Sequence, residues 1–167
     1  LFEVDILEKS NKTLSKVKVS GGGRCNVTHN CMDIKDLINF YPRGGRKLKK
    51  VFYQFNPSHT VEWFKDRGVS LKTEADNRMF PVTDKSHTIV NCFHDEVEKL
   101  GINLKLGFTV NSISSSSEGF IIQDGNTSYQ YDAVIIATGG SPKLAGFDWL
   151  KKLNPFFSPG GIIVVTR

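Results

Sequence analysis

Three consecutive glycines near the start of the chain, Gly21–Gly23, constrain its fold more than any other feature. They stand within Ser20–Asn26, where the order is Ser-Gly-Gly-Gly-Arg-Cys-Asn. Glycine adopts positive φ at little cost and lets another group approach the backbone closely. The successive N–H groups, followed by Arg24, form a surface that can receive an anion. The segment is not a P-loop, because no Gly-Lys-Ser/Thr follows it, and a tight turn without a ligand is the less favoured alternative.

Short strands and helices alternate along the rest of the chain, which predicts an α/β fold. The clearest helix is Ser86–Leu100, capped by Ser86, with an apolar stripe reaching Leu100 and Gly101 as its end. Other helices are predicted at Asp33–Phe40, Gly45–Phe55, Ser58–Arg67 (capped by Ser58) and Gly146–Leu153. Strands are predicted at Leu1–Leu7, Val69–Thr73, Asn77–Val82, Asn103–Leu106, Thr109–Ser114, Gly119–Gln123, Tyr129–Tyr131 and Asp132–Ala137, with a hairpin turn at Asp124-Gly125-Asn126.

The composition is that of a globular protein. The 167 residues suit one domain or slightly more, and 39% hydrophobic with 23% charged residues is too apolar for a disordered chain. No run approaches the roughly 20 apolar residues of a membrane span. The first ten residues carry Glu3, Asp5, Glu8 and Lys9, which does not match a signal peptide. Three cysteines cannot close a disulfide framework, so we expect a reducing compartment, the cytoplasm.

Two strand ends resemble parts of a dinucleotide-binding sheet. The first predicted strand runs into Glu8, and the last apolar strand, Asp132–Ala137, is expected to be buried and breaks at Thr138-Gly139-Gly140. We expect Leu1–Leu7 and Asp132–Ala137 to be parallel members of one sheet. A carboxylate at the end of the second strand of such a sheet accepts hydrogen bonds from the ribose hydroxyls of an adenosine. That carboxylate normally follows a G-x-G-x-x-G turn by about 20 residues, and no such turn precedes Glu8 here. A strand that ends in Glu is common, so this signal is weak by itself.

Three longer motifs carry a family resemblance. Lys16–Thr28, which contains the glycine segment, closely resembles the signature of the flavoproteins labelled NAD(P)/FAD-dependent oxidoreductases, of the aminoacetone-oxidase or bile-acid-reductase (BaiN) type. Asn77–Asp84 resembles a second motif of that family, and Ala137–Ser141 with Pro142-Lys143 resembles a third. The resemblance keeps its register from Leu1 to about Leu153, and the first motif is long enough to be highly specific.

The resemblance implies an FAD-dependent oxidoreductase that transfers hydride between flavin and NAD(P)H or a small organic substrate. The fold it implies is an incomplete Rossmann-like FAD-binding domain of the glutathione-reductase type, with a parallel sheet, helices and a small antiparallel meander. Glu8 would hold the adenosine ribose, Val110 would touch the adenine, and Gly21–Asn26 would pass beside the pyrophosphate, ribityl or flavin end. The implied FAD-binding set is Glu8, Lys9, Lys16, Ser20, Gly21, Gly22, Gly23, Arg24, Cys25, Asn26, Val110, Ala137, Thr138, Gly139 and Gly140; no catalytic residue is assigned.

The same resemblance suggests that the sequence is part of a longer protein. The G-x-G-x-x-G turn would lie upstream of Leu1, and a β-rich substrate domain would follow. We therefore divide the chain into a partial FAD-binding domain over residues 1–153 and a divergent or truncated tail over residues 154–167. We expect this segment alone to be inactive and to bind FAD weakly, because the helix N-terminus that neutralises the pyrophosphate would be missing.

The cysteines and histidines offer weaker possibilities. Cys25, His29 and Cys31 could be imagined as metal ligands, but their spacing is not a paired C-x-x-C and a fourth ligand is missing, so no metal site is predicted. Cys25 beside Arg24 could have a lowered thiol pKa. A packing or flavin-contact role for Cys25 is the preferred interpretation. His87 and His94 are expected at or near the surface.

A basic segment supplies the alternative function. Arg43–Lys50 contains five cations, as many as the formal net charge of +5. Such a cluster can hold phosphates, and Phe52, Tyr53 and Phe55 could stack on bases, which would suit a nucleic-acid-binding module or an RNA-directed flavoprotein. A solvated helix end is the simpler interpretation of the charges, and core packing that of the aromatics. We therefore expect a small-molecule substrate, with no membrane partner, and disfavour nucleic acid.

Overall fold

The computed structural model describes residues 2–138 and the backbone of Val164–Val165. The chain forms two units, one built from Leu1–Val4 and Leu14–Asn103 and the other from Asp5–Thr13 and Leu104–Arg167. The helices are α1 (Ser15–Gly23), α2 (Ile34–Leu37), α3 (Gly45–Gln54), α4 (Pro57–Lys65) and α5 (Ser86–Lys99), with a 3-10 helix at Ile38–Phe40. The strands are β1 (Asp5–Glu8), β2 (Thr28–His29), β3 (Leu71–Thr73), β4 (Arg78–Pro81), β5 (Asn103–Leu106), β6 (Ser112–Ser116), β7 (Gly119–Asp124), β8 (Thr127–Tyr131), β9 (Val134–Ile135) and β10 (Val164–Val165).

A parallel strand pair confirms the predicted α/β class. Strand β1 pairs with β5. The N–H of Asn103 donates to the carbonyl of Val4 over 2.9 Å, and that of Phe108 donates to the carbonyl of Glu8 over 3.0 Å. The bonded positions advance together along both strands, so the strands run in the same direction. Helix α5 precedes β5, which is the order expected of a Rossmann-like crossover.

The first unit packs helices on a small antiparallel sheet with the order β2-β4-β3. Its core contains Phe64 from α4 and Ile89 and Cys92 from α5, together with Cys25 and Val69. The apolar face of α5 explains this arrangement, because Ile89 and Val90 are buried as their helical spacing predicts. Leu100 is the exception to the predicted stripe, since the helix ends at Lys99 and this side chain is exposed.

The second unit carries the predicted meander, with β6, β7 and β8 paired antiparallel in that order. Asp124 opposes Thr127, so the loop between them is the predicted two-residue turn, and Gly125 has the positive φ of 58° that such turns require. Phe108, Ile113, Ile122 and Ile136 form the core of this unit.

Two predicted helix caps are wrong for a shared reason. The N-cap of α4 is Asn56, not Ser58: the Asn56 amide oxygen accepts the N–H of Ser58 at 2.9 Å, and His59 Nδ1 accepts the Asn56 N–H at 3.1 Å. Ser86 lies inside α5, where its hydroxyl donates to the carbonyl of Lys18 over 2.9 Å. In both helices a serine near the helix start was predicted as the cap, whereas an earlier residue holds that position: Asn56, two residues before Ser58, in α4 and Lys85, directly before Ser86, in α5.

The largest correction concerns Asp132–Ala137, predicted as a buried parallel strand in the same sheet as β1. Of these six residues, only Val134 and Ile135 form a strand, and they pair antiparallel with β10. Ile136 is buried whereas Ile135 is 68% exposed. An alternating pattern of this kind is typical of a strand with one covered face, because successive side chains point to opposite sides.

Other predicted elements differ mainly at their ends. The first strand is Asp5–Glu8, whereas Leu1–Leu7 was predicted, and residues 15–19, for which no element was predicted, form helical turns that lead into the predicted glycine loop. The helices at Asp33–Phe40 and Gly45–Phe55 are confirmed within a residue or two. The predicted helix Gly146–Leu153 and the 153/154 domain boundary lie outside the described residues. No helix in the described part of the chain has the length and apolar character needed to cross a bilayer.

Candidate functional site

The glycine segment forms a tight reversal at the end of α1. The chain leaves helical geometry at Ser20, where ψ is 151°, and Gly21, Gly22 and Gly23 follow with φ of 55°, 68° and 86°. The carbonyl of Ser20 then accepts the N–H groups of Arg24 and Cys25, the latter over 3.0 Å. Three successive residues with positive φ require glycine, because other L-residues rarely adopt this conformation.

The first two glycines serve different purposes. A Cβ on Gly21 would lie 2.7 Å from the Phe80 ring and 2.8 Å from the backbone nitrogen of Asn26, so no side chain fits there. A Cβ on Gly22 would have no atom within 4 Å. Gly21 is therefore required by the fold itself. At Gly22 the backbone is open to the approach of a ligand.

Arg24 is held by groups from distant parts of the sequence. Its guanidinium forms ion pairs with Glu74 and, at 3.5 Å, with Asp84, and it lies 4.1 Å from the centre of the Phe80 ring. The hydrogen bond to Glu74 raises the pKa of Arg24, with desolvation opposing it. Two carboxylates already share this cation, so Arg24 fixes the loop and has less charge to offer an anion than the sequence suggested.

The first two family motifs meet in the first unit. Strand β2 pairs antiparallel with β4, with Thr28 opposite Met79, and the N–H of Val27 donates to the carbonyl of Met79 over 2.8 Å. The Phe80 ring is fully buried and limits the space at Gly21. The glycine loop therefore rests on the second motif. The sequence identified both segments without predicting this contact.

A cavity of about 440 Å³ adjoins the loop. Four residues of the predicted FAD-binding set, Lys16, Ser20, Cys25 and Asn26, contribute to its wall. The remaining wall is mostly apolar and includes Val17, Val27, Thr60, Phe64, Ile89 and Phe93. Ligand sites commonly combine an apolar wall of this size with a few polar groups. The cavity therefore has the size and the mixed lining of a ligand site.

The predicted site residues of the second unit lie at the surface or in its core. Glu8 ends β1, and its Oε1 accepts the N–H of Ser10 at 2.7 Å. Lys9 is exposed, as are Ala137 and Thr138, while Val110 packs against the core cluster. Gly139 and Gly140 lie outside the described residues. The Glu8 carboxylate thus stands at the carboxyl end of a parallel strand, as predicted, and one of its oxygens already orders the following turn.

The cysteines and the candidate metal ligands behave as separate structural residues. Cys25 is buried in the core of the first unit, which agrees with the preferred packing role, and all three cysteines are free thiols. Burial, with added repulsion from Asp36 and Asp33, raises the pKa of Cys31. His29 packs against the Phe40 ring at 4.7 Å. Among residues 2–138, no group of three His, Cys, Asp or Glu side chains is arranged to hold a metal ion.

The sequence missed the residues that support the loop. Glu74 and Asp84 are bonded to a residue 50 and 60 positions away in the chain, respectively. A signal was present for Asp84 and Phe80, because both belong to the second motif. No pattern marked Glu74 or Thr60, whose roles depend on the packing of α4 and β3–β4. Phe93 belongs to the predicted apolar stripe of α5, which indicated packing but not its place in the cavity wall.

Comparisons with known proteins show which family the chain belongs to. The family model described as "HI0933-like protein Rossmann domain" matches residues 2–146. A 3-dehydro-bile acid delta(4,6)-reductase of Clostridium scindens is 28% identical over 138 residues, covering 83% of this chain and 33% of the relative. A ribosomal RNA dihydrouridine synthase of Escherichia coli is 24% identical over 135 residues, covering 81% of this chain and 33% of the relative.

The chain thus spans about a third of the length of the curated relatives it matches. The matched residues include the glycine loop, the second motif and the Glu8 strand end, which are the segments that the resemblance singled out. Because the family model covers most of the sequence, the chain belongs to the HI0933-like Rossmann-domain family, the flavoprotein oxidoreductase family that its motifs resemble.

Proposed function

We propose that this chain is the FAD-binding part of an oxidoreductase that transfers hydride between flavin and NAD(P)H or a small organic substrate. The observation that carries the proposal is the open backbone at Gly22, beside a cavity that predicted FAD-binding residues line. The loop backbone from Gly21 to Asn26 would receive the pyrophosphate or ribityl end through its N–H groups. The Glu8 carboxylate would accept hydrogen bonds from the ribose hydroxyls. Lys9 and Lys16 would add positive charge near the phosphates. Val110 would touch the adenine, and Ala137–Gly140 would pack on the cofactor.

We propose further that the substrate carries an activated carbon–carbon double bond. The names of both relatives describe that chemistry. A delta(4,6)-reductase is named for the reduction of carbon–carbon double bonds, and dihydrouridine is uridine with one ring double bond reduced. FAD supplies hydride transfer when bound, and the protein supplies orientation and electrostatics. We also propose a cytoplasmic location, which the three free cysteines support.

The test is flavin reduction under anaerobic conditions. The purified protein that carries this chain should absorb at about 450 nm, and NADH or NADPH should bleach that band. Addition of an enone or of a uridine substrate should restore the band if that substrate is reduced. A protein that takes up no flavin after incubation with FAD would contradict the proposal at its first step.

An RNA substrate is the second candidate. It is favoured by one observation, the exposure of the basic segment around α3, together with the RNA named in the description of the Escherichia coli relative. The anaerobic assay separates the candidates, because only an RNA-directed enzyme would reoxidise its flavin with a uridine-containing oligonucleotide and not with small enones.

A further inference from the structure

One face of α3 gathers positive charge around an exposed tyrosine. Arg46, Lys49, Lys50 and Tyr53 stand at positions i, i+3, i+4 and i+7 of this ten-residue helix. Residues with that spacing share one face of an α-helix. Two further cations stand beside this face: Arg43 just before the helix and Lys47 in its first turn. We call Arg46, Lys49, Lys50 and Tyr53 the basic face.

In the part of the chain that the structure describes, the cations of the basic face are not paired with acidic side chains. No Asp or Glu occurs between Asp36 and Glu62 in the sequence. Within the described residues, none of Arg46, Lys49 and Lys50 forms an ion pair, whereas Arg24, Arg67 and Arg78 each do. Clustered cations without counter-charges raise the local positive potential and attract polyanions.

The aromatic side chains near α3 depart from the expectation that they pack in the core. Tyr53 is 62% exposed and Phe55 is 52% exposed, and no residue of α3 is buried. Tyr41 is also exposed, and its ring lies 5.3 Å from that of Phe52. Exposed aromatic rings between cations are typical of surfaces that bind single-stranded nucleic acid, because bases stack on the rings while phosphates meet the cations.

An open cavity of about 510 Å³ extends the basic face at the start of α3. Arg46, Lys47 and Tyr41 contribute to its wall, together with Ile38 and the glycines at the helix start. Gly45 is fixed there by a close approach, since a Cβ would lie 2.6 Å from the carbonyl of Ile38. The cavity volume lies within the roughly 300–1,000 Å³ range of small-ligand pockets, which is large enough for one nucleotide.

We infer that the basic face of α3 is a docking surface for single-stranded nucleic acid. The position of Tyr53 within the cationic face favours this partner over an anionic membrane. A helix that lies on a membrane keeps its aromatic residues on the face opposite its cations. This docking surface does not depend on flavin binding, because none of its residues belongs to the predicted FAD-binding set.

The test compares two matched triple variants of the FAD-loaded protein that carries this chain. One is Arg46→Gln/Lys49→Gln/Lys50→Gln, which removes three charges while keeping good helix formers. The control is Lys65→Gln/Lys85→Gln/Lys99→Gln, which changes net charge equally at exposed sites. Binding of a labelled single-stranded RNA of about 12 nucleotides is measured by fluorescence anisotropy between about 50 and about 200 mM salt.

We expect the basic-face variant to bind RNA at least tenfold more weakly at low salt. The slope of log affinity against log salt should become shallower by about 2, since each phosphate contact on a single strand contributes roughly 0.7. Tyr53→Leu should weaken binding by about tenfold with little change in slope, because a stacking contact involves no counterion. The control variant should bind as the wild type does.

Two results would overturn the inference. One is equal RNA affinity and salt dependence in the two triple variants. The other is that the substitutions weaken binding only to phosphatidylserine vesicles and leave RNA binding unchanged, which would assign the face to membranes. Flavin absorbance measured on the same samples tests the proposed function separately. A protein that takes up no FAD but binds RNA would contradict the proposed function and would leave this inference standing.

Discussion

The glycine loop of the first unit and the Glu8 strand end of the second share a predicted role but are built differently. The loop depends on residues far away in the sequence, with Arg24 bonded to Glu74 and Asp84, and Gly21 closed in by Phe80. The Glu8 carboxylate depends on a neighbour, since its Oε1 accepts the N–H of Ser10, although the Glu8 carbonyl accepts the N–H of the distant Phe108. Substitutions at a distance from the loop should therefore change the loop, whereas the Glu8 carboxylate should respond mainly to changes in its own turn.

The two regions also differ in how much an added side chain should cost in stability. A backbone held against a buried ring has no room to relax, so an added side chain costs the strain of overpacking. An exposed turn can adjust at small cost. We therefore expect the largest losses of stability at the loop support and smaller ones at surface charges.

Gly21→Ala should give the largest loss of stability. The added methyl group would meet both the Phe80 ring and the backbone of Asn26, at a φ of 55° that alanine disfavours. The free energy of unfolding, measured in urea, should fall by about 3 kcal/mol. The matched control is Gly125→Ala, where φ is also positive but no atom lies within 4 Å; its loss should be about 1 kcal/mol. Equal losses in the two variants would contradict the assigned role of Phe80.

Tyr131→Phe should destabilise the second unit by an intermediate amount. The Tyr131 hydroxyl donates to Asp5 over 2.6 Å, and burial, then this hydrogen bond, raises the pKa of Tyr131. Asp5 keeps Lys105 as a partner at 2.6 Å, so the loss should be about 1–2 kcal/mol in urea unfolding. Tyr129→Phe, two residues earlier in the same strand β8, serves as the control and should change stability little. A comparable loss in the control would mean that ring packing, not the Asp5 bond, is measured.

Asp84→Asn should show a smaller effect that depends on pH. The hydrogen bond from Lys72, and then that from Arg24, lowers the pKa of Asp84. A carboxyl group that is more acidic in the folded state stabilises it above the unfolded pKa, and this contribution disappears as pH falls through the folded pKa. The wild type should therefore be more stable than Asp84→Asn at pH of about 7, and the difference should begin to shrink as the pH falls below about 4 and disappear at still lower pH.

The control for this titration is Asp95→Asn, on the exposed surface of α5. Its stability relative to the wild type should vary less with pH. A difference between the wild type and Asp84→Asn that stays constant from neutral to acid pH would show that the charge of Asp84 does not support the loop.

Local signals in the sequence predicted much of this fold. The apolar stripe of α5, the Asp124-Gly125-Asn126 turn and the meander are confirmed, because helical spacing and turn chemistry depend on nearby residues. The fold class and the family are confirmed as well, through motifs long enough to be specific. The FAD-binding roles of individual residues stay predictions.

What failed depends on contacts that no local pattern encodes. The apolar run at Asp132–Ala137 was read as a buried parallel strand, but its pairing is decided by β10, about 30 residues further along the chain. The capping box at Asn56 includes a hydrogen bond from the Asn56 N–H to His59 Nδ1, and no standard cap pattern predicts a histidine in that position. The exposure of Tyr53 and Phe55 could not be read from helical spacing, because it depends on which neighbours cover α3.

The central claim is that Gly21 serves the fold whereas Gly22 serves the cofactor, and flavin content in Gly22→Asp tests it most directly. A Cβ there would have no atom within 4 Å, and a carboxylate attached to it would repel the pyrophosphate that we propose binds beside this loop. The account predicts at least tenfold weaker FAD binding, with a free energy of unfolding of the apoprotein close to that of a Gly125→Asp control. Flavin content equal to the wild type in Gly22→Asp would contradict the account and reduce the glycine segment to a tight turn.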